Sequence, residues 1–121
     1  MSDKRYTVFV DFDGTCCYHW ETLTEIMKHG GEVLDGVFEK FQEWRSKDYY
    51  VVLTTARPES LRAFTTQQIV DMGLHFDQLV MGLPTGPRVV INDEKPNGMV
   101  TAFAKCVRRN KGLRHVDIEG L

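Results

Sequence analysis

Short apolar runs alternate with longer amphipathic stretches along this chain, and the two kinds of pattern predict different elements. Residues 5–11, "RYTVFVD", are dense in β-branched and aromatic side chains and end in an acid, which predicts a first strand. A loop follows through Trp20. The stretch "ETLTEIMKHGG", residues 21–31, predicts a short helix closed by Gly30 and Gly31. In "EVLDGVFEKFQEWRSK", residues 32–47, Val33, Leu34, Val37, Phe38, Phe41 and Trp44 recur at helical spacing, so a second helix with a core-facing stripe is expected.

Residues 48–56, "DYYVVLTTA", form the second predicted strand. Pro58 then opens a third helix, at a position where its missing N–H costs nothing, and Gly73 closes it. "FDQLVMG", residues 76–82, predicts a third strand, and "RVVIND", residues 88–93, a fourth that again ends in an acid. The polar loops "LPTGP" and "EKPNG" flank that fourth strand. Beyond it, Met99, Val100, Phe103, Cys106 and Val107 fit a helical face, and "TAFAKCV" fits a buried strand about as well; the strand is slightly favoured.

Strands alternating with helices predict an α/β fold: an open, Rossmann-like parallel sheet flanked by helices. In such sheets, sites form beyond the C-terminal ends of the strands. Asp11 and Asp13 would lie there after the first strand, Thr54, Thr55 and Arg57 after the second, and Asp93 and Glu94 after the fourth. Clusters that are far apart in sequence thus converge on one edge. Two carboxylates one residue apart need a cation or a shared proton between them.

Composition narrows the picture without redirecting it. The 121 residues fit a single domain over 1–121, with no repeats or linker-like tracts. A formal net charge of −2 gives no global basic field for nucleic acid or membrane binding. No apolar run is long enough to span a bilayer, and "MSDKRY" lacks a signal-peptide core, so a cytoplasmic setting is expected. Cys16, Cys17 and Cys106 show no C-x-x-C spacing and are expected to be reduced and structural. His29, His75 and His115 have no ligand spacing, and His19 beside Trp20 reads as a solvated loop residue. Lys105, Arg108, Arg109, Lys111 and Arg114 read as a solvated basic tail, with an anionic or nucleic-acid surface as the alternative.

Oxygen ligands from Asp11, Asp13 and Asp93, with Glu94 as an open further candidate, suit Mg²⁺, which takes one or two carboxylates and keeps waters and phosphate oxygens. A carboxylate beside such a metal can attack phosphorus, and a second one two residues on can protonate the leaving group and then deprotonate water. Gly14 permits the turn that brings both to one centre. Thr55, with Thr54 as its rival, and strand-end backbone N–H groups could hold phosphoryl oxygens. Arg57 is a candidate phosphate contact and otherwise a helix-start residue.

"DFDGT" after an apolar strand resembles the first motif of the haloacid dehalogenase-like (HAD) phosphohydrolase superfamily. "VVLTTAR" is similar to the second motif and "VVIND" to the fourth. An Asp-x-Asp-Gly-Thr string arises by chance in about one chain in a thousand of this length, so the first motif carries most of the weight. The resemblance implies Asp11 as nucleophile, Asp13 as general acid and base, Thr55 as phosphate contact and Asp93 as metal ligand. The acid at Asp13 favours hydrolysis of a phosphate monoester through an aspartyl-phosphate.

Two departures stand out. The Gly-Lys-Pro that often supplies a cation in capless relatives is here Gly82-Leu83-Pro84, leaving Arg88 and Lys95 as the nearest substitutes. The fourth motif reads Asn92-Asp93, with Glu94 next. About 35 residues separate Thr15 from the second strand, and fewer than 30 separate Pro58 from the fourth, so no cap domain fits. A capless site, with Gly14 and Thr15 as substrate-binding candidates, suits a large phosphorylated substrate, or closure by a partner subunit, with "CCYHWETL" as a flap. The rival readings are a polynucleotide-end or nucleotide phosphatase, a catalytically weak or inactive binding module of the same fold, and a phospho-acceptor receiver domain. The Asp-x-Asp-Gly-Thr turn after the first strand argues against the last.

Overall fold

A computed structural model describes residues 5–29 and 31–121. Three parallel strands, β1 (Thr7–Asp11), β2 (Tyr50–Thr54) and β3 (Gln78–Val80), lie side by side in that order. The helices are α1 (Leu23–His29), α2 (Val37–Ser46) and α3 (Arg62–Asp71), the last preceded by a 3₁₀ turn over Glu59–Leu61. The molecule is thus mixed α/β with a small open parallel sheet. The register pairs Val10 with Leu53 and Asp11 with Thr54, so the ends of β1 and β2 are level. That alignment brings the two sequence-distant polar clusters to one edge.

Burial explains the order of the sheet. The central β2 is covered on both faces, with Val51, Val52 and Leu53 all buried. β1 buries Val10 and leaves Phe9 61% exposed, as expected of a strand covered on one face. α2 places Val37, Phe41 and Trp44 in the core, and α3 places Thr65, Gln68 and Ile69 inward. Phe38, expected in the core, instead lies at its margin, with its ring against Gly73. Val33 and Leu34 precede α2 and pack against the core from the loop. α1 ends at His29; Gly30, expected to close it, lies outside the described residues.

The predicted fourth strand does not form. Residues 88–93 pair with no strand among the described residues, and Val89, Val90 and Ile91 are exposed. Among the described residues, β1 pairs with β2 alone. A parallel strand needs a neighbour to satisfy its backbone, and "RVVIND" has the composition of a strand without the pairing. Residues 101–107 form neither the favoured strand nor the alternative helix. Three local contacts shape the segment instead: Met99 O accepts from Lys95 N–H, Asn92 Nδ2 donates to Thr101 Oγ1, and Thr101 Oγ1 donates to Asp93 O.

The basic C-terminal stretch is not a free tail. Leu113 is buried in the core and its N–H donates to Asp35 O, while Arg114 forks the Asp35 carboxylate at 2.6 and 2.8 Å. Gly112, at φ 83°, passes so close to Asp35 that an added Cβ would sit 2.0 Å from its carbonyl oxygen. Tyr49 OH donates to Glu119 at 2.9 Å and stacks on Tyr6 at 5.2 Å, fixing the last residues to the start of β1. No described helix is long and apolar enough to cross a membrane.

Candidate active site

The loop after β1 is a tight turn built on Phe12. Its carbonyl accepts from the N–H groups of Thr15, Cys16 and Cys17, and its ring is wholly buried. Gly14 takes φ 83°, which only glycine adopts without strain. Burying Phe12 between Asp11 and Asp13 fixes both carboxylates on the outer side of the turn.

The two acids then meet different surroundings. Asp11 is half-exposed: Thr15 Oγ1 donates to it at 3.5 Å and Arg88 Nη2 lies 4.0 Å away. Partial burial, and next the Asp13 charge, push the Asp11 carboxyl above the ordinary carboxylate value; Arg88, the Phe12 N–H and Thr15 oppose that rise. Asp13 is bound on both oxygens. Arg57 Nη2 and Nε reach Oδ1 at 2.8 and 3.1 Å, Nε also reaches Oδ2 at 3.1 Å, and Thr55 Oγ1 donates to Oδ2 at 2.9 Å. Arg57 itself is 3% exposed. Its remaining donor group bonds Thr65 at 3.0 Å and Gln68 at 2.7 Å on α3, and its guanidinium lies 4.9 Å over the Phe12 ring. Every polar atom of this buried pair therefore faces a partner, as a buried ion pair requires.

Against expectation, then, Arg57 and Thr55 do not face the solvent side. The Thr55 hydroxyl is fully buried between Asp13 and the Arg57 N–H, and Thr54 Oγ1 turns back toward Val10 O at 3.5 Å. Thr55 and Arg57 serve the Asp13 carboxylate, and Thr54 serves the β1 backbone. Cys17 Sγ also contacts Asp13, and burial, followed by the Asp13 charge, raises that thiol to about 12. Burial also raises the Cys16 thiol well above its ordinary value, so neither is a thiolate nucleophile at neutral pH, and all three cysteines are free.

An open cavity of about 190 Å³ is lined by Asp11, Asp13, Gly14, Thr15, Val107 and Arg109. Asp93, Glu94 and Lys95 do not line it; they sit in the exposed 88–98 stretch. Among the described residues no three His, Cys, Asp or Glu side chains come together as a metal-binding group. Residue by residue, Asp11, Asp13, Thr55, Arg57 and Arg88 are brought together, Gly14 and Thr15 form the floor, and the fourth-motif acids remain apart.

Three groups at this site carry no local sequence signal. Gln68 and Thr65 sit on an ordinary-looking helix face, and Arg109 lies in a basic run. Asn110 fixes Arg109 in place: its N–H donates to Gly14 O and its Oδ1 accepts from His19 N–H, each at 2.7 Å. An unbranched polar residue able to adopt φ 64°, as Asn110 does, was the one available cue. No family model, no characterised protein and no solved structure matches the chain.

Proposed function

We propose that this protein is an HAD-like phosphohydrolase that cleaves a phosphate monoester at Asp11 in an open, capless site. The observation that supports this reading is the pair of carboxylates at the end of a parallel strand, one open and one clamped, that line the same cavity. An Asp11 oxygen would attack phosphorus while the ester oxygen leaves with a proton from Asp13 in its acid form, a state that requires the Arg57 clamp on Asp13 to loosen. Water would then attack the aspartyl-phosphate, giving its proton to Asp13 and releasing phosphate, so charge and protons balance over the cycle. Arg57, Thr55, Thr65 and Gln68 hold Asp13 in place, and Arg88 sits beside Asp11.

Mg²⁺ belongs to this reading as a ligand, and the present arrangement does not complete a site for it. Both Asp13 oxygens already accept hydrogen bonds, and Asp93 and Glu94 lie apart from Asp11. The Rossmann-like HAD core of the proposal needs residues 88–93 to add to the side of β1 away from β2, which would carry Asp93 toward Asp11. A cytoplasmic setting and a bulky phosphorylated substrate go with the same reading.

The test is hydrolysis of an aryl phosphate, with and without Mg²⁺, by the wild type and by Asp11→Asn. Turnover lost in the variant supports the nucleophile. A folded wild type that turns over nothing favours the second reading, a binding module of this fold, for which the fully occupied Asp13 oxygens speak.

A further inference from the structure

We infer that Arg109 is the anion-binding group of this cavity and that it holds a phosphoryl dianion without help from a divalent cation. The identity of the anion rests on the phosphohydrolase reading. The position and charge of Arg109 do not.

The charge around the cavity argues for it. Asp13 is neutralised by the buried Arg57, and Asp11 has Arg88 within 4.0 Å. Arg5, Arg62 and Arg114 likewise lie against carboxylates. Arg109 is exposed, lines the cavity and has no ion-pair partner among the described residues. Two carboxylates therefore meet three guanidinium groups, and Arg109 is the one of the three with no carboxylate partner among the described residues. A fork of N–H donors suits two non-bridging oxygens of a phosphoryl group.

Its backbone is held at the right place. Asn110 is bonded to both sides of the carboxylate turn, through Gly14 O and His19 N–H. Leu113 anchors the same segment in the core. The side-chain stem packs on Gly14, where an added Cβ would stand 3.2 Å from Arg109 Cγ. Anchored at its backbone and along its stem, the guanidinium has less freedom to lose on binding an anion. Arg109 thus fills the role for which sequence spacing pointed to Arg88 or Lys95.

The experiment is titration of the protein with inorganic phosphate, followed by ³¹P line broadening, in EDTA and again in excess Mg²⁺. Arg109→Met removes the charge and keeps an unbranched stem on Gly14; Arg109→Lys restores the charge; an unchanged thermal midpoint confirms that each variant folds. The wild type is expected to bind phosphate in EDTA, Arg109→Met to bind about 10-fold or more weakly, and Arg109→Lys to recover most of the loss. Equal binding by wild type and Arg109→Met overturns the assignment. Binding that needs Mg²⁺ overturns the metal-independent part and leaves the phosphohydrolase reading intact. No binding by the wild type in either condition overturns both.

Discussion

Two stretches of similar composition have opposite fates in this protein. In β2, "YVVLT" is buried to the point that Val51 and Leu53 are 0% exposed, whereas in "RVVIND" Val89 is 81% and Ile91 is 92% exposed. Neither β-propensity nor apolarity separates them. What differs is neighbours: β2 has a strand on each side and helices over it, while 88–93 has no strand beside it among the described residues. Strand propensity is largely a measure of fit to a half-buried pleated surface, so it predicts nothing when that surface is not supplied. The same contrast separates the site's acids. Asp13 belongs to the packed region through Arg57 and α3, and Asp93 belongs to the open one.

The largest expected effect lies where charge and packing coincide. Arg57→Met should strand the Asp13 carboxylate and leave Thr65 and Gln68 without their donor, costing about 3–5 kcal/mol in urea unfolding. A loss under 1 kcal/mol would mean that the clamp is not closed in solution. Leu53→Ala should cost about 2–5 kcal/mol by opening a void in the core.

Ile91→Ala, by contrast, should change stability by less than about 0.5 kcal/mol, as at an exposed site. A loss above 1 kcal/mol there would erase the contrast. It would also show that 88–93 packs as a fourth strand in solution. Hydrogen exchange reads the same question at the backbone, where amides of 51–53 should be protected and those of 89–91 should exchange as in an open chain.

The smallest effect is electrostatic. Asp11 titrates above its unfolded value, so the native state binds the proton more tightly and stability falls as pH rises through that raised pKa. Asp11→Asn should therefore raise the thermal midpoint at pH 7 by about 1–3 °C, a modest figure because the group is half-exposed. The gain should vanish as pH drops below the ordinary carboxylate range, where wild-type Asp11 is neutral in both states. A lower midpoint for the variant at pH 7 would show that Arg88 outweighs burial and Asp13.

Local pattern made much of the fold legible. The three paired strands and three helices fall within the predicted stretches, and α2, α3 and the strands share one core cluster. The pair Asp11 and Asp13 was legible too, since a strand followed by Asp-x-Asp-Gly-Thr fixes a turn with both acids on one side.

Tertiary structure alone decided the rest. It turned Arg57 inward, because the helix it opens places Thr65 and Gln68 under its guanidinium and Asp13 above it. It left 88–93 beside no strand among the described residues, and it carried Arg109 from far along the chain onto Gly14 through Asn110 and Leu113. An arginine in sequence is a charge with a long stem. Whether that charge closes a buried pair or faces an open cavity depends on which groups the fold sets within its reach.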